Sequence, residues 1–339
     1  MARRLFSQWI LNNNQTVLKP KISSLANFSS KKLHTVQGIP VKEVQIPVQW
    51  GHVAGKLWGT GSDRPILAVH GWQDNAGTWD PLIPLLYKEM NNNRPILAID
   101  FPGHGLSSWL PPGMNYYSWE LPRFIHYLKE YFKWDKVSIL GHSMGSIAGF
   151  RYATVFPDDV DFYIAVDILI YDDYDIHFVV DKYSAVFKKA LMTQKRLDIE
   201  PPSYTREEMI KKWHMGTLKS VALESVPYLL ERGTRPSKQD PNKFYFSRDS
   251  RLKFTLFNPE DKKFVEALIL RLKCPTLYIK AVDSPFAVDE FAVSMADMIA
   301  KNNEKYEIQY LPGTHHIHLN TPELVLPVIM QFLRKYNFV

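Results

Sequence analysis

The chain has 339 residues, of which 45% are hydrophobic, and its 41 lysine and arginine residues outnumber its 35 aspartate and glutamate residues. The excess of basic residues is confined to one end. Residues 1–40 contain six basic residues and no acidic residue, so the rest of the chain carries 35 charges of each sign. A nucleic-acid surface needs clustered cations to neutralise phosphates. The body of the chain is therefore not expected to bind nucleic acid.

The first 40 residues are a basic leader. Leu5, Phe6, Trp9 and Ile10 share one face of a helical projection, and the surrounding sequence is rich in serine and asparagine. An acid-free, arginine-containing and amphipathic leader is typical of a mitochondrial transit peptide. One interpretation is therefore mitochondrial import with removal of about 34 residues, and the alternative is a disordered tail on a cytoplasmic protein.

The body of the chain is predicted to be soluble, globular and intracellular. Its apolar content is sufficient for a large core. The single cysteine, Cys274, excludes an internal disulfide framework and a cysteine-rich zinc site. No apolar stretch reaches the length of a transmembrane helix. Oligomeric state is not predicted.

After residue 40, short β-rich stretches alternate with helical ones, which predicts a doubly wound α/β domain with a mostly parallel sheet. Nearly continuous apolar stretches indicate strands that are buried on both faces. The predicted strands are Val44–Val48, Val53–Trp58, Pro65–His70, Pro95–Asp100, Val137–His142, Phe162–Asp167, Thr276–Lys280 and Tyr306–Leu311. The predicted helices are Leu82–Asn91, Tyr117–Tyr131, Ser146–Phe156, Phe286–Asn302 and Pro322–Tyr336.

Residues 168–270 interrupt this alternation with helical and irregular sequence. The segment is too long for a loop in a compact domain, so we expect an inserted, largely helical lid. Its place in the chain puts it over the carboxyl ends of the strands, where ligands bind in open α/β sheets. The core then comprises residues 41–167 and 271–339. Most of the aromatic residues in the lid are expected in its own core, and some at an apolar ligand: Tyr171, Tyr174, Phe178, Trp213, Phe244, Tyr245 and Phe246.

The pattern with the clearest chemical meaning is Gly141–Gly145, which reads G-x-S-x-G. It follows a predicted strand and precedes a predicted helix, and this is the setting in which the motif places a nucleophilic serine on a sharp turn. Ser143 is therefore the candidate nucleophile. A serine at this position favours acyl chemistry, which requires no cofactor and no metal ion.

A serine nucleophile needs a base, an acid and an oxyanion hole, which stabilises negative charge on the substrate oxygen. In this arrangement the base follows the last strand, which indicates His315 ahead of His316 and His318. Asp283, beyond the strand Thr276–Lys280, is the preferred acid, and Asp167 is the alternative. The backbone N–H groups of Trp72 and Met144 are the predicted oxyanion hole.

From Val44 onward the chain resembles the α/β-hydrolases, and more narrowly the serine hydrolase-like proteins. The narrower resemblance rests on several stretches: His70–Asn75 (HGWQDN), Asp100–Ser107 (DFPGHGLS), Gly141–Gly145, Arg232–Thr234 (RGT) and Phe246–Leu252 (FSRDSRL). One departure is Ala281, because related hydrolases usually have glycine two residues before the acid.

The resemblance implies a Ser–His–Asp hydrolase of small acyl substrates. The aromatic lid suggests an apolar acyl group, and a carboxylic ester is the preferred substrate class. The competing hypothesis is a non-catalytic relative that binds a small lipophilic ligand.

Overall fold

The computed structural model of the chain describes residues 31–61, 63–170, 175–254 and 260–339. Residues 1–30 of the predicted leader lie outside these ranges, and so do Tyr171 and Tyr174. Both interpretations of the leader therefore stay predictions. None of the helices in the described ranges combines the length and apolarity needed to cross a membrane.

All eight strands that the sequence predicts are present, and the structure adds three that it does not predict, namely β1, β8 and β9. In chain order they are β1 (Lys31–Val36), β2 (Ile39–Val48), β3 (Gly51–Trp58), β4 (Ile66–Val69), β5 (Ile96–Ile99), β6 (Val137–His142), β7 (Val160–Val166), β8 (Thr234–Pro236), β9 (Phe244–Phe246), β10 (Thr276–Ala281) and β11 (Tyr306–Leu311).

Nine of these strands form one sheet, in the order β1-β2-β3-β5-β4-β6-β7-β10-β11. From β5 to β11 neighbouring strands are parallel, whereas β1, β2 and β3 extend the sheet in antiparallel fashion. Strand β6 lies between β4 and β7, and β7 lies between β6 and β10. The carboxyl ends of these parallel strands therefore meet at one edge.

The helices are α1 (Leu82–Glu89), α2 (Glu120–Phe132), α3 (Met144–Val155), α4 (Ile176–Gln194), α5 (Arg206–Gly216), α6 (Val226–Gly233), α7 (Lys262–Ile269), α8 (Glu290–Asn302), α9 (Ile317–Asn320) and α10 (Pro322–Lys335). They cover both faces of the sheet. Because side chains alternate along a strand, Leu67 and Val69 of β4 pack with α2, α3 and α8, whereas Ile66 and Ala68 pack with α1 and α10.

Two predicted boundaries differ from the structure. Helix α7 falls inside the predicted 168–270 lid, but Val265 and Leu268 are buried in the same cluster as residues of α3 and α8. It is therefore a helix of the core. At the other end, β1 lies inside the predicted leader and pairs with β2. Its turn to β2 contains Gln37 and Gly38, both with positive φ, as expected of a two-residue hairpin turn.

Helices α4–α6 and strands β8 and β9 form the inserted segment, which has a small apolar cluster of its own. Trp213 of α5 and Leu229 of α6 belong to that cluster, together with Leu319 of α9. Helix α5 begins with a complete capping box, in which Thr205 and Glu208 each bind the other's backbone N–H. The segment is thus a folded unit that packs on the core.

A buried ion pair attaches this segment to the sheet. The Arg232 guanidinium, at the end of α6, lies 2.8 Å from Asp100, which follows β5, and also binds Glu43 of β2. Burial alone would lower the pKa of Arg232, but these two carboxylates outweigh it and raise that pKa above its ordinary value. The Arg232–Thr234 motif of the sequence therefore has a structural role.

A second attachment uses the FSRDSRL motif. Arg251 binds Asp249 at 2.7 Å and donates to the backbone oxygens of Pro111 and Met114. The Asp249 N–H donates to the oxygen of Gly103. The motifs that distinguish the narrower resemblance thus hold the inserted segment against the loops that follow β5.

We predict that Arg232→Met lowers the free energy of unfolding by about 3–5 kcal/mol, because it leaves the Asp100 carboxylate buried without its cation. The matched control is Arg123→Met, which removes an exposed cation paired with Glu120 and should cost about 1 kcal/mol or less. Urea unfolding followed by circular dichroism measures both. Equal stability of the two variants would contradict the anchoring role of Arg232.

Candidate active site

Ser143 lies on the turn between β6 and α3, where both flanking glycines are required by close contacts. A Cβ atom on Gly145 would lie 2.4 Å from the Val69 oxygen, and one on Gly141 would lie 2.7 Å from the Ser146 nitrogen. Ser143 itself has φ 53° and ψ −119°, a strained conformation for a residue with a side chain. The turn therefore matches the setting that the sequence predicts for Ser143.

His315 bridges Ser143 and a carboxylate. Its Nε2 lies 3.0 Å from the Ser143 Oγ, and its Nδ1 lies 2.5 Å from Oδ2 of Asp167. Since the carboxylate accepts, Nδ1 carries the proton, and Nε2 is left to accept from the serine hydroxyl. The structure thus brings together Ser143, His315 and Asp167.

The carboxylate in contact with His315 is that of Asp167 and not that of the preferred Asp283, which corrects the sequence-based expectation. Asp283 is exposed, and its carboxylate accepts a hydrogen bond from the backbone N–H of Gly313 at 3.1 Å. Asp167 comes directly after β7, the neighbour of the strand that precedes Ser143. Asp283 follows β10, one strand further away.

Three donors besides His315 hold the Asp167 carboxylate. They are the Lys280 ammonium at 2.8 Å, the Ala281 N–H at 3.1 Å and the Ser284 hydroxyl at 2.5 Å. Burial raises the pKa of Asp167, but the hydrogen bonds and charges of His315 and Lys280 outweigh burial, so the net pKa lies below its ordinary value. Asp167 is therefore ionised at neutral pH.

The same surroundings keep His315 neutral. Burial lowers its pKa, and the hydrogen bond that its Nδ1–H donates to Asp167 opposes that effect without cancelling it, so the pKa of His315 lies below its ordinary value. A neutral imidazole with a free Nε2 lone pair is the form that can accept a proton from Ser143.

The loop after β4 passes directly beside the serine. A Cβ atom on Gly71 would lie 3.2 Å from that of Ser143. The ring of His70 fixes this loop, because its Nε2 accepts from the Phe101 N–H at 2.9 Å and its Nδ1 donates to the Gly71 oxygen at 2.7 Å. Gly71 and Ser143 are thus in close contact. The residues that follow them, Trp72 and Met144, carry the N–H groups of the predicted oxyanion hole.

Sequence reasoning missed several polar residues around the site. Lys280 and Ser284 support Asp167, and the signal that could have found Lys280 is a lysine inside an apolar strand. Asp74 binds His316 Nε2 at 3.2 Å, which gives His316 a partner other than the serine. His318 binds the Thr78 hydroxyl at 2.9 Å.

A cavity of about 1340 Å³ opens beside Ser143 and His315. Its lining includes apolar side chains of both the core and the inserted segment: Trp72, Leu121, Phe124, Met144, Trp213, Phe246, Leu252 and Phe286. Of the aromatic residues assigned to the lid, Trp213 and Phe246 reach this cavity, whereas Phe178 is mostly exposed.

Comparison with known proteins identifies the family. Residues 64–322 match the model of the alpha/beta hydrolase fold. A probable serine hydrolase of Drosophila melanogaster is 37% identical over 87% of this chain and 88% of its own length, and a serine hydrolase-like protein of Danio rerio is 30% identical over 93% and 94%. The chain belongs to the α/β-hydrolases. Within them it is a member of the serine hydrolase-like proteins.

A solved structure supports the fold of this chain. A hypothetical protein of Pseudomonas aeruginosa PAO1 superposes with a TM-score of 0.72 and 26% identity, over 88% of this chain and 99% of its own. The family model and the two curated relatives confirm the resemblance that the sequence motifs indicated.

Proposed function

We propose that the protein hydrolyses carboxylic esters of small apolar acyl groups, with Ser143 as nucleophile, His315 as base and Asp167 as acid. The observation that carries the proposal is the continuous hydrogen-bonded series from the Ser143 hydroxyl through His315 to Asp167. This is the geometry by which a serine, histidine and aspartate act together in acyl transfer.

The reaction has two halves. Ser143 Oγ attacks the ester carbonyl while His315 Nε2 takes the hydroxyl proton, and the imidazolium then gives that proton to the departing alcohol. The acyl group stays on Ser143 as an ester. Water then attacks this acyl-enzyme with His315 again as base, which releases the carboxylic acid and restores the serine hydroxyl.

During each attack, positive charge develops on His315 and negative charge on the substrate oxygen. The site offers a partner for each. The imidazolium of His315 is stabilised by the ionised Asp167. The substrate oxygen would accept from the N–H groups of Trp72 and Met144. Met144 is the first residue of α3, so its N–H has no partner within that helix.

The apolar lining supports an apolar acyl group. Trp213 and Phe246 of the inserted segment face the same cavity as Met144 and Ser143, so an apolar chain would lose its contact with water there. The second candidate function is binding of a small lipophilic ligand without catalysis. The apolar cavity supports ligand binding and ester hydrolysis equally. The Ser143–His315–Asp167 contacts, however, are needed only for hydrolysis.

We predict that a fluorophosphonate probe labels the wild-type protein and fails to label Ser143→Ala, because the probe reacts with an activated serine. Ser118→Ala is the matched control, since Ser118 also lines the cavity and should be dispensable for labelling. Gel fluorescence measures the outcome. Folded wild-type protein without Ser143-dependent labelling would support the non-catalytic binder.

The choice of acid is tested by the same change at two positions. Asp167→Asn should lower kcat for p-nitrophenyl butyrate by about 10⁴-fold, because the amide no longer fixes the His315 tautomer or stabilises its charged form. Asp283→Asn should leave kcat within about threefold, since its carboxylate binds Gly313. A larger loss in Asp283→Asn than in Asp167→Asn would reverse the assignment. Thermal melts establish that both variants are folded.

The pH dependence follows from the lowered pKa of His315. The neutral base is present above that pKa and is lost as the pH falls through it, so the acid limb of kcat/KM should have its midpoint below pH 6.5. Asp167 stays charged because its own pKa lies below the ordinary value of an aspartate. Measurement with an ester that does not titrate between pH 4.5 and 8 reports the midpoint. A midpoint above 6.5 would show that another group controls activity.

A further inference from the structure

Beside the proposed catalytic residues lies a second group of side chains that the reaction does not use. Asp74, His142 and His316 are all buried, and one potential metal-ligating atom of each lies within 4.8 Å of those of the other two. The Asp74 Oδ2 is 3.2 Å from His316 Nε2 and 3.7 Å from His142 Nδ1. We call these three residues the Asp74 cluster.

The spacing suits a metal ion with nitrogen and oxygen ligands. In a tetrahedral zinc site, with metal–ligand distances near 2.1 Å, the ligand atoms lie about 3.4 Å from one another. The two measured distances to Asp74 bracket that value. Small side-chain movements would therefore complete three ligand positions.

The His142 ring provides an independent indication of a ligand. Its Nε2 lies 2.9 Å from the backbone oxygen of His315 and must donate to it, so Nδ1 of the neutral ring carries a lone pair. Within the described residues this buried Nδ1 has no hydrogen-bond partner. It faces the Asp74 carboxylate, which is also an acceptor. Two acceptors that face each other in a buried site are stabilised by a cation between them.

The same hydrogen bond is what a metal-binding histidine requires. Such residues usually donate their second ring N–H to a carbonyl or carboxylate, which fixes the ring and its tautomer. His142 already does so through His315. His316 can do so as well, because its Nδ1 lies 2.8 Å from the Ser220 hydroxyl, which accepts if the proton moves from Nε2 to Nδ1.

An ion can reach the cluster from the substrate cavity. Asp74, His142 and His316 all belong to the lining of the cavity beside Ser143. Water from that cavity is available as a fourth ligand, as in sites with three protein ligands.

We propose that Asp74, His142 and His316 bind one divalent transition-metal ion of the zinc class, and that the bound ion inhibits the hydrolase. The inhibitory half rests on the proposed function, whereas the binding half does not. The ion is an inhibitor and takes no part in the reaction proposed above.

Inhibition follows from charge and from position. The ring of His315 lies 4.6 Å from that of His142 and 5.0 Å from that of His316, and a bound divalent ion would change the charge at Asp74 from −1 to +1. The imidazolium that each attack generates would then face a cation. In addition, His142 binds the His315 backbone and His316 is its neighbour in sequence, so ligation would pull on the base itself.

The test measures binding and activity separately. Isothermal titration with zinc chloride should give one site of micromolar or tighter affinity, in the wild type and in Ser143→Ala. Asp74→Asn and His316→Gln should weaken that binding by at least about tenfold. His318→Gln is the matched control, because His318 is a buried histidine two residues further along, in α9, that binds Thr78, and it should keep the affinity. Zinc should lower wild-type ester hydrolysis at least tenfold at saturation.

Absence of binding, or binding unchanged in both cluster variants, would overturn the proposal. X-ray absorption of the zinc-loaded wild-type protein decides the ligand set independently of whether the variants fold, and a spectrum without imidazole ligands would overturn it as well. Zinc that binds at the cluster without slowing hydrolysis would refute the inhibitory half. A wild type that binds zinc but hydrolyses no ester would leave the site standing and count against the proposed function.

Discussion

One buried carboxylate determines how the ends of the strands are arranged. Asp167 directly follows β7 and accepts hydrogen bonds from Lys280 and Ala281 of β10, from Ser284 beyond it and from His315 beyond β11. An unpaired charge in this position would cost several kcal/mol, so the surrounding loops are constrained to supply donors. One of these donors is His315, and the hydrogen bond that it donates to Asp167 also orients its ring toward Ser143.

The strain at Ser143 depends on that rigid surrounding. A residue with a side chain at φ 53° and ψ −119° costs about 1–3 kcal/mol unless its neighbours enforce the conformation. Here Gly145 packs against the backbone of β4, and the sheet on both sides is buried. The turn cannot relax without separating α3 from the sheet. Ser143 is therefore held in place before any substrate arrives, as its proposed role as nucleophile requires.

The sequence predicts the contact between Ser143 and His315, which depends on local pattern and chain order. Ser143 follows from a motif between a strand and a helix, and His315 from its place after the last strand. The choice between Asp167 and Asp283 depends on something else, namely how the loop after β10 folds. The Val282 N–H donates to the Leu311 oxygen and the Asp283 N–H donates to the Gly313 oxygen. These bonds turn the Asp283 side chain outward. No pattern of residues in the sequence predicts that geometry. The end of the inserted segment was missed for a similar reason: the apolar face of α7 has the same periodicity whether it packs on the core or on the segment.

Buried ion pairs attach some parts of the inserted segment to the core and not others. This difference determines which wall of the cavity is rigid. Helix α6 is tied to the core through Arg232, and the chain after β9 through Arg251, so the wall that carries Trp213 and Phe246 is fixed by buried charges. Within α4, by contrast, only Val179 is buried. An element with few buried contacts opens at lower free energy than the core does. The fixed wall therefore sets the shape of the apolar pocket, whereas α4 contributes the fewest buried residues to the packing of the segment on the core.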